Sequence, residues 1–170
     1  MTSEAFRGEF YQKVDAKARV SIPAAFRRIL EAEDPTTEQN PRARVYMVYG
    51  GKHRRFVECY SRSGADALAA KIEAMELGSP ERDRAERDLI SRSVMIEVEP
   101  DGRIVLPVKV REKMGFAGDD LVGGGEAAFA GFTNRFKLYR REVYEAELAE
   151  DDDDDGVDPL ALVGRATRSG

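Results

Sequence analysis

The sequence predicts an α+β fold, mainly β, in which two tandem copies of one unit form a pseudo-twofold core with connecting helices. Three observations carry this. The segment Asp15-Ala-Lys-Ala-Arg19-Val-Ser-Ile-Pro23 returns 84 residues later as Glu99-Pro-Asp-Gly-Arg103-Ile-Val-Leu-Pro107. The match continues with Phe26 on Val110, Arg27 on Arg111 and Leu30 on Met114. After a small gap, Cys59-Tyr-Ser-Arg62 falls on Leu138-Tyr-Arg-Arg141. Several short stretches alternate apolar and polar residues, the period of a half-buried strand. Finally, 170 residues at 42% hydrophobic can bury a core, but one unit of about 60 residues buries little alone. Two units must pack on each other or interlock with another chain.

The first unit, 1–76, opens with a strand Phe10–Val14, a turn, and a strand Arg19–Ile22 that faces Val20 and Ile22 inward. A helix Ala24–Leu30 follows, then a polar loop Glu31–Arg44 and strands near Val45–Tyr49 and Phe56–Tyr60. Ala65, Leu68, Ile72 and Met75 recur at helical spacing and give one apolar stripe. The connector, 77–89, begins where Gly78-Ser79-Pro80 breaks that helix, with Ser79 placed to cap the next. From Glu81 to Ser93 only Ala85, Leu89 and Ile90 offer much to bury. The second unit, 90–148, alternates through Val94, Ile96 and Val98 into the turn signal Asp101-Gly102. A returning strand carries Ile104 and Leu106 inward. Pro107 starts a helix Val108–Met114, which Gly115 stops. Strands are expected around Asp120–Val122, Ala127–Phe132 and Arg135–Tyr139, then a terminal helix Glu142–Glu150. Residues 149–170 read as an acidic, disordered tail.

Composition removes whole classes of function. One cysteine, Cys59, and one histidine, His53, allow neither an intrachain disulfide nor a Cys- or His-pair metal site. No metal, cofactor or catalytic residue is expected, and the chain is read as no enzyme. No apolar run approaches the ~18 residues of a membrane span, and the N-terminus lacks the apolar stretch of a signal peptide. A cytoplasmic protein without a membrane partner is expected. The net charge of −5 hides an uneven distribution. Residues 147–170 hold eight acids against Arg165 and Arg168, which leaves 25 basic and 24 acidic residues in 1–146. The first 62 residues carry 12 basic against 8 acidic. A mildly basic body thus precedes an acidic tail.

The turn Asp15–Arg19 is the feature with chemistry in it. It sets Lys17 at a hairpin tip, and Arg19 and Ser21 on the outward face, with Lys13 on the incoming strand. Such a hairpin can enter a DNA groove, where a guanidinium meets phosphates or guanine O6 and N7. The same spacing lets Asp15 hold Arg19 as a plain hairpin ion pair. Both readings fit the residues. Lys52-His53-Arg54-Arg55 is a basic cluster in an expected hairpin loop, able to touch phosphate but read first as a solvated loop. Gly123-Gly124-Gly125 lacks the Lys-Ser/Thr ending of a phosphate loop. Cys59 reads as buried and inert. Asp15 and Glu99 as a paired acid and base would need a pocket that surface turns do not offer.

The doubled motif, with Phe6-Arg7-Gly8-Glu9 ahead of it, resembles the MraZ family of bacterial transcriptional regulators. That family belongs to the AbrB/SpoVT-like DNA-binding superfamily, whose unit is a swapped-hairpin β-barrel. The resemblance covers about 1–148. The first copy, Asp15 to Arg19, matches the Asp-x-x-x-Arg pattern. The second has Glu99 for the acid and keeps Arg103. Ala18 stands where a glycine is common, so a different turn geometry is expected. The resemblance implies two tandem AbrB-like units. It also implies a sequence-specific, nucleoid-associated repressor of the division and cell-wall gene cluster. Such a protein would be a ring-like homo-oligomer on repeated promoter boxes in double-stranded DNA. Lys17 and Arg19 are then the main DNA contacts, Arg103 a weaker one, and Lys13 and Arg7 further candidates. Asp15 and Glu99 orient the arginines. The alternative is an oligomeric protein-interaction module without DNA readout.

Overall fold

The computed structural model describes residues 4–151 and 156–166. Strand β1 (Glu9–Val14) turns into β2 (Arg19–Ser21), which buries Val20 as its alternation requires. Helix α1 (Ala24–Ala32) buries Phe26, Ile29 and Leu30, a stripe at helical spacing. Phe26 is the hub of the core, with the rings of Phe6, Phe10 and Phe136 at 5.4, 5.3 and 5.0 Å. Strands β3 (Arg44–Val48) and β4 (Val57–Tyr60) lead into α2 (Arg62–Glu73), capped by Ser61, whose hydroxyl accepts the Gly64 N–H. Ser79 caps α3 (Pro80–Ala85) in the same way through Arg82. The charged run then widens into a π-helical turn, Glu86–Ser91, before β5 (Ser93–Glu97). Strand β6 (Arg103–Val105) and helix α4 (Val108–Met114) follow, and Gly115 closes α4 at φ 92°. Strands β7 (Gly125–Gly131) and β8 (Phe136–Arg140) and helix α5 (Arg141–Asp151) complete the second repeat.

Two expectations meet corrections here. No strand forms at Asp120–Val122. The Asp120 carboxylate instead accepts the Ala117 N–H at 2.9 Å and Val122 donates to Asp119 O, so the segment turns. Within the tail expected to be disordered, Pro159–Ala166 forms helix α6. The aspartates 152–155 lie outside the described residues.

All eight strands belong to one antiparallel sheet, in the order β5-β3-β4-β8-β7-β1-β2-β6. Its end strands, β5 and β6, are joined by a tight turn in which Glu99 N–H donates to Arg103 O at 2.8 Å. The sheet is therefore a nearly closed barrel rather than two separate ones. Exchanging β1–β4 with β5–β8 reproduces the same ring of neighbours. The first strand of each repeat pairs with the third strand of the other, β1 with β7 and β5 with β3. At the centre β2 pairs with β6, Val20 opposite Ile104, flanked by Ile22 N–H to Gly102 O at 3.0 Å and Leu106 N–H to Ala18 O at 2.8 Å. Both repeats line a single core, from Phe6, Phe26 and Met47 to Leu106, Phe129 and Leu138. Neither half could be withdrawn without exposing it, the economical answer to two units too small to fold alone.

Candidate nucleic-acid interface

The first turn is held by its own backbone and by one carboxylate. Asp15 N–H donates to Arg19 O at 3.0 Å, and Ala18 N–H to Asp15 O at 2.9 Å. The Asp15 carboxylate accepts the Lys17 and Arg19 backbone N–H groups, both at 2.9 Å, and the Arg19 Nε at 2.8 Å. The Arg19 amide foremost, then its guanidinium, holds the Asp15 carboxyl below the usual range, so it is charged at neutral pH. The second turn repeats the backbone pattern, with both bonds at 2.8 Å. Gly102 sits at φ 84° and its counterpart Ala18 at φ 63°. The altered geometry expected of Ala18 therefore does not occur. The alanine takes the left-handed conformation, at a cost of about 1 kcal/mol, and its methyl is fully buried.

With Nε engaged, Nη1 and Nη2 of Arg19 make no hydrogen bond among the described residues. A guanidinium fixed at one edge and open at the other is suited to a bidentate acceptor pair. Lys17 is exposed at the tip, and Lys13 is exposed on β1 opposite Glu126 of β7. Neither makes an ion pair among the described residues. Arg103 shares the outward face of the β2–β6 ladder with Arg19: Arg19 stands opposite Val105, and Ser21 opposite Arg103. Lys13, Arg19 and Arg103 line one open groove of about 770 Å³. Arg7 does not join them. It lies before the far end of β1, beside the Phe6–Thr133 bridge.

The second hairpin is not a copy in charge. Glu99 does not orient Arg103. Asp101 does, accepting its backbone N–H at 3.1 Å and its Nε at 2.8 Å, while Glu99 takes Arg42 at 3.2 Å. The reason is positional. Asp101 occupies the place of Lys17, two residues from the arginine, and reaches it first. Arg103's amide and guanidinium hold the Asp101 carboxyl low, so the second tip presents an anion where the first presents an ammonium. Reasoning on the Glu99–Arg103 spacing missed Asp101; the charge at the tip was the available signal. It also missed the glycine run 123–125, which forms part of the groove wall. There Gly125 lies opposite Val14, and a side chain at Gly124 would press on Val14 O at 3.3 Å.

Among the described residues no three His, Cys, Asp or Glu side chains gather as a metal site, and no helix is long and apolar enough to cross a membrane. Asp15 and Glu99 are each spent on an arginine of their own surroundings.

No protein-family model matches the chain. Individual relatives do. A protein named transcriptional regulator MraZ from Cereibacter sphaeroides is 48% identical over 164 residues, 95% of this chain and 96% of the relative. One of the same name from a Ruegeria species is 40% identical over 167 residues, again 95% and 96% of the two chains. A third, from Ruegeria pomeroyi, is 39% identical over 142 residues, 84% and 81%. These matches span both hairpins and the strands they exchange, nearly end to end in two of these relatives, and on that ground the chain belongs to the MraZ family.

Proposed function

We propose that this protein is a sequence-specific, DNA-binding transcriptional regulator that reads double-stranded DNA with its first hairpin. Each repeat is read as an AbrB-like unit, the two exchanging strands to make the barrel. The observation that carries the proposal is the Asp15–Arg19 turn. One carboxylate fixes the arginine through Nε and, among the described residues, leaves its terminal nitrogens open, and Lys17, with no ion pair among those residues, stands at the same tip. A solvent-exposed ion pair would stabilise the turn only slightly, but the same bond pre-orients a guanidinium toward guanine O6 and N7. The names of the relatives, transcriptional regulators, fit this reading.

A single hairpin with two or three cations binds weakly at physiological salt. Several hairpins linked in a ring-like homo-oligomer gain avidity on repeated promoter boxes without new contacts. In this reading the protein represses the division and cell-wall gene cluster. Arg19 and Lys17 make the principal contacts, Lys13 supports them from β1, and Arg103, beside its own Asp101, contributes less. Arg7 lies outside this surface and serves at most a separate phosphate.

The test is selection of bound fragments from genomic DNA, followed by titration of the best fragment and a scrambled copy at about 0.15 M salt. Arg19→Ala is expected to lower affinity for the selected fragment roughly tenfold or more, the scale of one good bidentate base contact, while the assembly keeps its mass. Wild-type affinity in Arg19→Ala would overturn the reading in favour of a protein-interaction module.

A further inference from the structure

The groove of the first hairpin is close to electrically neutral. Its basic lining residues, Lys13, Arg19 and Arg103, face Asp15, Glu126 and Glu142. DNA binding draws most of its salt-dependent affinity from cations laid against phosphates, and a neutral groove supplies little of that. A surface with a clear positive surplus lies elsewhere.

Lys52, Arg84, Arg87, Arg92, Lys109 and Lys113 line two adjoining depressions that share Lys52 and Arg92. Only Asp83, Asp88 and Glu112 oppose them there, a surplus of three positive charges. Asp88 is already occupied, by Arg92 at 2.9 Å and Arg84 at 3.9 Å. Lys52, Arg87 and Lys109 are exposed and make no ion pair among the described residues. The surface is built from three locked elements. The β3–β4 loop presses on the π-helical turn so closely that a side chain at Gly50 would collide with the Asp88 carbonyl. Tyr49 N–H donates to Arg92 O at 2.9 Å. Lys113 of α4 donates to Gly51 O at 2.7 Å. Burial foremost, then the positive charges of Arg54 and Arg92, push the Lys113 amine below its usual range against the opposing pull of Asp88.

This surface lies within a short span of the hairpin. Ala18, beside Lys17, accepts the Leu106 N–H at 2.8 Å, and Lys109 follows three residues later in the first turn of α4. Steps of 3.8 Å per residue keep the backbones of Lys17 and Lys109 within about 20 Å, roughly six base pairs of one duplex at 3.4 Å each. We propose that Lys109, Lys113, Lys52, Arg87 and Arg92 form a phosphate-binding strip for double-stranded DNA. The strip engages the backbone of the same duplex whose bases the first hairpin reads. It rests on the DNA-binding reading above and adds a division of labour: the hairpin specifies, and the strip holds.

The experiment uses the full chain. Binding of the best-selected genomic fragment and of a mixed-sequence duplex is measured across a salt series for wild type, Lys52→Ala/Lys109→Ala, Lys52→Arg/Lys109→Arg and Arg19→Ala. The double alanine variant is expected to lose about 1.8 from the slope of log K against log salt for each engaged protomer, 0.9 per phosphate contact. It should weaken on both duplexes by the same factor, and the double arginine variant should restore wild-type behaviour. Arg19→Ala should instead lose preference between the duplexes and keep most of the slope. An unchanged slope in the double alanine variant overturns the strip, and the hairpin reading survives if Arg19→Ala still loses preference. A slope lost equally in the arginine variant also overturns it, since charge would not be the cause. If wild type binds neither duplex, both proposals fall.

Discussion

At the scale of single residues, position 18 shows how the turn survives its substitution. An alanine at φ 63° is strained, yet the methyl is fully buried and the carbonyl is bonded across the pseudo-twofold axis. Strain of about 1 kcal/mol and burial of one methyl, about 0.8 kcal/mol, nearly cancel. Ala18→Gly is therefore expected to shift stability by less than about 1 kcal/mol. Ala18→Val adds a β-branch where φ is positive and volume where there is no space. It should cost about 2 kcal/mol or more, read as a lower denaturant midpoint. Equal stability of the two variants would refute the account of the turn. Two carboxyls set the response to acid. Asp34, nearly buried, accepts Arg44 through Nε at 2.9 Å, Nη2 at 2.7 Å and the backbone N–H at 3.0 Å. The guanidinium hydrogen bonds foremost hold it below the ordinary range. Glu58 is pushed up by burial, but hydrogen bonds from Tyr60, Arg135 and Arg54 outweigh this and leave it low. Both ionise more readily folded than unfolded. Their contribution is whole above the unfolded pKa near 4 and drains as pH falls through the lower folded values. The denaturant midpoint should hold between about pH 7 and 5 and fall below about pH 4. Asp34→Asn should be less stable at neutral pH by about 3 kcal/mol, with a flatter acid limb.

At the scale of elements, what the sequence made readable was whatever local periodicity determines. The helix Val108–Met114 and its stop at Gly115 were legible to the residue, because Pro107 and Gly115 punctuate it. The Ser79 cap was legible for the same reason. Asp120–Val122 was not. Leu121 and Val122 look like strand, but the Asp120 carboxylate takes the Ala117 N–H and the Asp119 carbonyl takes the Val122 N–H, and the turn wins locally. The π-helical turn at Glu86–Ser91 was also hidden. Its register is set by the close approach of Gly50 to Asp88, a contact between residues far apart in the chain. In the candidate site Asp15, Lys17 and Arg19 could be read because turn and partner lie within five residues. Asp101's capture of Arg103 could be read only once the duplicated turns were compared charge by charge. Of the strip, the basic cluster at Lys52 could be read, but its union with Arg92 and Lys109 could not, since it joins three elements that only tertiary packing brings together. Cys59 fits its strand context: fully buried, with burial pushing its thiol well up. It should resist alkylation at mildly alkaline pH until denaturant unfolds the barrel, so thiol reactivity against denaturant reports global opening. Reaction at the native rate of an exposed cysteine would contradict the buried β4.

At the scale of the whole molecule, the two end strands of the sheet, β5 and β6, meet across a turn without pairing as a ladder, so the barrel keeps one short gap between them. Cutting a natural target from several boxes to one should lower affinity by far more than the ratio of box numbers, measured by titration at fixed salt with the mass of the assembly checked alongside. Proportional loss would mean that protomers bind independently. The exchange of strands between repeats also let the halves diverge. Because backbone bonds shape both turns alike, Asp101 could stand where the other copy has Lys17 without disturbing the fold. Such a subunit has a front and a back. A true dyad would suit a palindrome, as symmetric dimers suit inverted half-sites. Were the proposed ring to join such lopsided subunits head to tail, it would impose one polarity on the duplex and be matched by sites that all point the same way.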